Sequence, residues 1–169
     1  GTGYVGLVTG LVFSTLNHQV TCVDLNKKIV DKLNSGIPTF FEKGLKDLLK
    51  KELSSGRFKA STNVKEDIQD VDLIFIAVGT PSLNNGNIDL SFIKKASETV
   101  GKEIKNIDRY ISIIIKSTVL PTTTDTLVRK IIEKFSKKML GEFGLGMNPE
   151  FLRAGSALED FMYPDRIVM

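Results

Sequence analysis

The chain opens on Gly1-Thr2-Gly3-Tyr4-Val5-Gly6, which follows the spacing G-x-G-x-x-G. Glycines at these points serve a tight turn, close backbone approach to a pyrophosphate, and close packing of a helix on a strand. A helix beginning near Tyr4 points its unpaired N–H groups and the positive end of its dipole at phosphate oxygens. Taken alone, the motif equally fits a glycine-rich turn that binds nothing. Asp24 adds a second element. It stands 18 residues after Gly6, at the end of the run Q-V-T-C-V-D, where an acid accepts hydrogen bonds from ribose hydroxyls. The same carboxylate repels a 2′-phosphate, so the pair favours NAD over NADP, a preference that Lys27 and Lys28 soften. The competing reading of Asp24 is a helix N-cap.

By residue type alone, Thr118 and Glu150 are able to handle water, as many hydroxyls and carboxylates are; what selects these two is the resemblance given below. The Thr118 hydroxyl both donates and accepts, and the Glu150 carboxylate can take a proton from a developing nucleophile. Their plainer readings are a cap or turn residue for Thr118 and a helix-starting acid for Glu150. Cys22, the one cysteine, lies inside an expected strand two residues before Asp24 and reads as a small buried hydrophobe, not a nucleophile. His18, the one histidine, reads as a turn residue ahead of that strand.

The elements that position these residues alternate short β-branched runs with longer helical stretches, the pattern of βαβ units around a parallel sheet. Helical spacing covers 4–16, 26–34, 45–53, a short stretch over 64–68, 90–104 and about 124–137. Strands are expected over 19–24, 58–62, 72–78, 110–115 and 143–146, with loops over 38–44 and 79–89. The fold class is therefore α/β, a Rossmann-like, doubly wound, mostly parallel sheet with helices on both faces. In that architecture the glycine loop follows a central strand. The sequence starts within the loop, so it reads as a fragment with its first strand missing, poorly stable by itself.

Composition narrows the class. The chain has 169 residues, 41% hydrophobic and 25% charged, with a net charge of +3, ordinary for one soluble globular domain. No apolar run approaches the roughly 18 residues of a membrane span, and no signal segment leads the chain. The lysine pairs at 27–28, 50–51, 94–95 and 137–138 read as solvated helix surface, without the interleaved aromatics of a nucleic-acid patch. A single cysteine excludes an internal disulfide framework and makes a reducing, cytoplasmic setting the default.

Three more segments extend the reading: Phe75-Ile76-Ala77-Val78-Gly79-Thr80-Pro81-Ser82, Lys116-Ser117-Thr118-Val119-Leu120-Pro121, and Asn148-Pro149-Glu150-Phe151-Leu152-Arg153. With the glycine loop in front and Pro164-Asp165-Arg166-Ile167-Val168 behind, the chain resembles the UDP-glucose/GDP-mannose dehydrogenase family along its whole length. The resemblance implies an NAD-binding domain over 1–169, with the nucleotide-sugar domain absent. It implies oxidation of a sugar C6 alcohol to a carboxylic acid as two NAD are reduced, through a cysteine thioester that is then hydrolysed. Gly1, Gly3, Tyr4, Val5, Gly6, Asp24, Gly79, Thr80, Pro81, Ser117 and Thr118 would contact the cofactor. Thr118 and Glu150 would serve thioester hydrolysis, and Glu150, Phe151, Leu152 and Arg153 would touch the nucleotide sugar. No metal is called for. The family's nucleophile, and the lysine and asparagine that assist it, would lie beyond Met169, so this chain alone should not turn over. A full-length homodimer, formed through a connecting helix, is likewise implied.

The sequence departs from the family pattern at four places. Ala154 stands where a cofactor-contacting glutamate is common, Ile29 where Lys or Arg is frequent, Thr122 where glycine is usual, and Lys43 where proline is usual. The 164–168 segment looks more like UDP-glucose enzymes, and UDP-glucose to UDP-glucuronate is preferred over a GDP-mannose reaction. The remaining alternatives are a non-catalytic NAD-binding remnant and a hydroxy-acid dehydrogenase of the same fold, the latter opposed by N-P-E-F-L-R.

Overall fold

A computed structural model describes all residues, 1–169. The chain divides into two compact units: Gly1–Val64 with Phe151–Ile167, and Lys65–Glu150 with Val168–Met169.

The first unit begins with α1 (Tyr4–Thr15), which runs into β1 (Val20–Val23), α2 (Lys27–Asn34), α3 (Leu45–Ser54) and β2 (Phe58–Ser61). β1 and β2 pair in parallel, Val20 opposite Phe58 through Val23 opposite Ser61. The core joins Leu7, Leu11 and Val12 of α1 to Leu33, Leu45, Leu49 and Phe58, all at most 2% exposed. Each such side chain contributes about 1.5–3 kcal/mol by leaving water. A tenth-position glycine lets α1 settle on the strands. A Cβ built on Gly10 would stand 2.5 Å from the Cys22 sulfur and 3.4 Å from Val20 Cγ1. The close-packing role the motif assigns to Gly6 is thus also carried one turn later. α2 starts under Asn26, whose side chain accepts from the Lys28 N–H. The helix cap is therefore Asn26 and not Asp24. The unit closes with a six-residue helix, α7 (Ala157–Met162), which no sequence signal announced.

The second unit carries α4 (Val64–Asp67) at its boundary, then β3 (Leu73–Ile76), α5 (Ser91–Ile104), β4 (Ser112–Ile115), α6 (Arg129–Ser136) and β5 (Gly144–Met147). Its sheet runs β3-β4-β5, all parallel, with Leu73 opposite Ser112 and Ser112 opposite Gly144. Ile113 and Ile115 of β4, Ile93 and Ile104 of α5 and Ile132 of α6 form its core, each at most 1% exposed. Gly101 gives α5 and α6 their close approach: a Cβ there would lie 3.0 Å from Phe135 Cβ and 3.2 Å from the Ile132 carbonyl oxygen. The helix expected over about 124–137 begins as a π-helical turn, Thr124–Val128, immediately after Thr122 at φ 70°. Such π-helical turns are rare and occur mostly as single turns joined to an α-helix, as here.

The α/β class and parallel pairing are as expected, but the strands form two sheets, of two and three members, instead of one. No helix is long and apolar enough to cross a membrane.

Candidate functional site

In the first unit, Gly3 caps α1 with extended backbone, and no side chain accepts from the helix's leading N–H groups. No acid stands in that first turn either. Gly3 is exposed, and a Cβ built there meets nothing within 4 Å. The start of α1 thus combines unpaired donors, a positive dipole end and open space in front, which suits a pyrophosphate. Gly1 is exposed and Gly6 buried, while Val5 is half-buried. The Tyr4 hydroxyl is engaged within the protein: it donates to Glu42 Oε2 at 2.8 Å and lies 3.1 Å from the Arg153 carbonyl oxygen. Any Tyr4 contact to phosphate is therefore one for its backbone N–H.

Asp24 is half-buried beside this loop. Its Oδ2 accepts from both the N–H and the hydroxyl of Thr2, at 3.0 and 2.6 Å, and its Oδ1 from the Asn26 N–H at 3.0 Å. Burial pushes the Asp24 pKa up, but these hydrogen bonds outweigh it and hold the carboxyl below its ordinary value. Two oxygens offer about four acceptor positions. With three used, Oδ1 keeps room for one ribose hydroxyl, and the residues present fit the adenosine half of NAD. The Lys27 ammonium pairs with Asp31 at 2.7 Å on the surface of α2. Cys22 is buried and its thiol is raised to about 11 by burial, so it stays protonated and unreactive.

In the second unit, the ends of β3, β4 and β5 carry the remaining residues. Ser117 is buried. Its hydroxyl accepts from the Val78 N–H at 2.9 Å and donates to the Val78 carbonyl at 2.7 Å, while its own N–H donates to Ile76. It fastens the β3 exit to the β4 exit, and its hydroxyl and N–H already have partners. Thr118, the next residue, is exposed. Gly79 and Pro81 are exposed and Thr80 half-buried, and a Cβ on Gly79 meets nothing within 4 Å. Glu150 is half-buried on irregular chain seven residues before α7, so it does not start a helix. Lys116 is 4% exposed and donates to Asn148 Oδ1 at 2.9 Å. Burial lowers its pKa, against the attraction of the Glu150 carboxylate.

Phe151, Leu152 and Arg153 belong to the first unit. Arg166 stacks its guanidinium 4.6 Å from the Phe151 ring centre. Arg153 is gripped by Asp160, with its N–H 2.8 Å from Oδ2 and its Nη2 2.5 Å from Oδ1. Sequence reasoning missed three residues: Gly10, which another glycine at i+4 from Gly6 signals; Lys116, whose burial no local signal gives; and Glu42.

The whole chain, residues 1–169, matches the NAD binding domain of the UDP-glucose/GDP-mannose dehydrogenase family. The chain belongs to this family. It is 43% identical over 170 residues to a UDP-glucose 6-dehydrogenase of Rickettsia typhi, a match that takes in all of this chain and 37% of that protein. Among solved structures of the family, a ternary complex of GDP-mannose dehydrogenase from Pseudomonas aeruginosa superposes with a TM-score of 0.97 at 38% identity, over 99% of this chain and 38% of that one. A UDP-glucose dehydrogenase from Pyrobaculum islandicum gives 0.92 at 42% identity, over 99% and 38%. The chain thus spans little more than a third of the length of these family members.

Proposed function

We propose that this chain is the NAD-binding part of a nucleotide-sugar 6-dehydrogenase that oxidises UDP-glucose to UDP-glucuronate by two successive hydride transfers. The observation that carries the cofactor half is the uncapped, open start of α1 beside an Asp24 carboxylate with one acceptor position to spare. The substrate class rests on the family match across residues 1–169 and the 43% identity to a UDP-glucose 6-dehydrogenase.

In this reading Gly1, Gly3 and Gly6, with the N–H groups of Tyr4 and Val5, cradle the pyrophosphate, and Asp24 takes a ribose hydroxyl. Bound NAD supplies the hydride acceptor. Gly79, Thr80 and Pro81 border the cofactor as bare backbone and small side chains. Ser117 acts by holding the loop, since its hydroxyl is occupied by Val78. The exposed Thr118 hydroxyl orients a water, Glu150 accepts its proton, and Glu150, Phe151, Leu152 and Arg153 contact the nucleotide sugar. The cysteine that forms the thioester comes from a separate nucleotide-sugar domain, and the complete protein is a homodimer working in a reducing, cytoplasmic compartment.

The test is NADH formation by the full-length protein with UDP-glucose and with GDP-mannose. UDP-glucose should be oxidised with two NADH per sugar. Thr118→Ala and Glu150→Gln should each lower kcat by about 10²–10⁴ without unfolding. NAD binding without turnover on either sugar would leave a cofactor-binding remnant and sink the enzyme reading. A GDP-mannose reaction is the second reading, favoured by the higher TM-score of 0.97.

A further inference from the structure

Glu42 sits between the exposed residues Phe41 and Lys43, yet is itself only 5% exposed. A carboxylate taken out of water needs compensating donors. It has three, and they come from remote parts of the chain. Its Oε2 accepts from the Tyr4 hydroxyl at 2.8 Å and the Gly155 N–H at 2.9 Å, and its Oε1 from the Ala157 N–H at 3.2 Å. The last two partners lie 113 and 115 residues away along the chain. The Tyr4 hydroxyl also reaches the Arg153 carbonyl oxygen at 3.1 Å, and its ring rests on Phe40 with centres 5.0 Å apart. One carboxylate therefore joins the first turn of α1, the 38–44 loop and the chain leaving Arg153. Burial pushes the Glu42 pKa up, but the bonds from Gly155, Tyr4 and Ala157 prevail and keep the carboxyl below its ordinary value. It is held as an ion.

We infer that Glu42 is a positioning residue for the nucleotide sugar: it fastens the Phe151–Arg153 stretch to the start of the cofactor helix. After Asn148, whose N–H still bonds the Ile115 carbonyl, the stretch 149–153 is neither helix nor strand and has no ladder of its own to set its course. Preorganising it spares the ordering cost when substrate binds. An apolar residue at position 42 could fill the space, but it could not satisfy the Gly155 and Ala157 N–H groups or turn the Tyr4 hydroxyl. The inference rests on the proposal that Phe151–Arg153 contact the nucleotide sugar.

The experiment uses the full-length protein, with UDP-glucose and NAD as ligands. Glu42→Gln keeps the volume but replaces one accepting oxygen with a donor, which now faces N–H or O–H donors. It should raise the KM for UDP-glucose about tenfold, the scale of one charge-assisted hydrogen bond. The dissociation constant for NAD and kcat at saturating sugar should stay within about twofold. Tyr4→Phe, which removes one of the three donors, should raise the same KM by a smaller factor, and it carries the test if Glu42→Gln does not fold. Equal losses in NAD and sugar binding that track a fall in thermal stability would overturn the proposal. So would an unchanged KM for sugar in both variants. Arg153→Ala serves as control: if it leaves the sugar KM unchanged, the substrate reading of 151–153 falls; if it raises KM while both other variants do not, only the role of Glu42 falls.

Discussion

The buried Lys116 ammonium donates to Asn148 Oδ1 at 2.9 Å, just past the C-terminal ends of the paired strands β4 and β5. Asn148 in turn donates from Nδ2 to the Val168 carbonyl at 2.7 Å. The amide side chain thus links a buried cation to the final stretch of the chain. A lysine held this way has a definite pH signature. Burial lowers its folded-state pKa below the unfolded value, with Glu150 opposing. Between those two values the unfolded state binds more protons, so stability rises with pH across that alkaline window. The cost of burying the cation is fully present below the folded pKa and fades as pH climbs toward about 10.4. Denaturant midpoints of the native protein and Lys116→Met, followed from about pH 7 to pH 10, should show the native protein gaining on the variant. A constant gap would remove the buried-cation account.

Asp24→Asn should weaken NAD binding by about tenfold or more, the scale of a lost charge-assisted hydrogen bond. It should also narrow the preference for NAD over NADP, since the repulsion of a 2′-phosphate disappears with the charge. Fluorescence titration with NADH and NADPH reads both effects. Affinities unchanged for the two cofactors would remove Asp24 from the ribose site.

Gly10→Ala should destabilise the first unit by about 1–3 kcal/mol, because the new methyl collides with the Cys22 sulfur 2.5 Å away. Adding Cys22→Ala should recover a large part of that loss, and the double-mutant cycle should show strong coupling. Simple additivity in urea midpoints would mean that the helix shifts elsewhere.

The Glu52–Arg57 pair should respond asymmetrically. Glu52 is fully buried and its Oε2 lies 3.0 Å from Arg57 Nη2, while the Arg57 side chain keeps 27% exposure and also donates from Nε to the Ser14 carbonyl. Arg57→Met strands a buried carboxylate and should cost about 3–5 kcal/mol. Glu52→Met leaves a guanidinium that can turn to water and should cost less. The reverse order in thermal unfolding would contradict this.

What was legible in the sequence was local. The glycine loop, Asp24 and the β-branched runs announced α1 and the parallel strands, with ends off by a residue or two, as for 72–78 against Leu73–Ile76. α7 was not visible, because six residues after Gly155 carry too little periodicity and their start is tied to Glu42 by distant bonds. Glu42 and Lys116 look like ordinary surface charges until long-range contacts bury them. For Ser117, nothing in its identity told that Val78 would occupy its hydroxyl.

The crowding of Cys22 under Gly10 has a practical use as well. The only thiol in these 169 residues is shut away and protonated, so an alkylating reagent reaches it only when α1 lifts from β1. Its labelling rate is a built-in clock for the opening of that layer, and a ligand seated at the start of α1 should slow it.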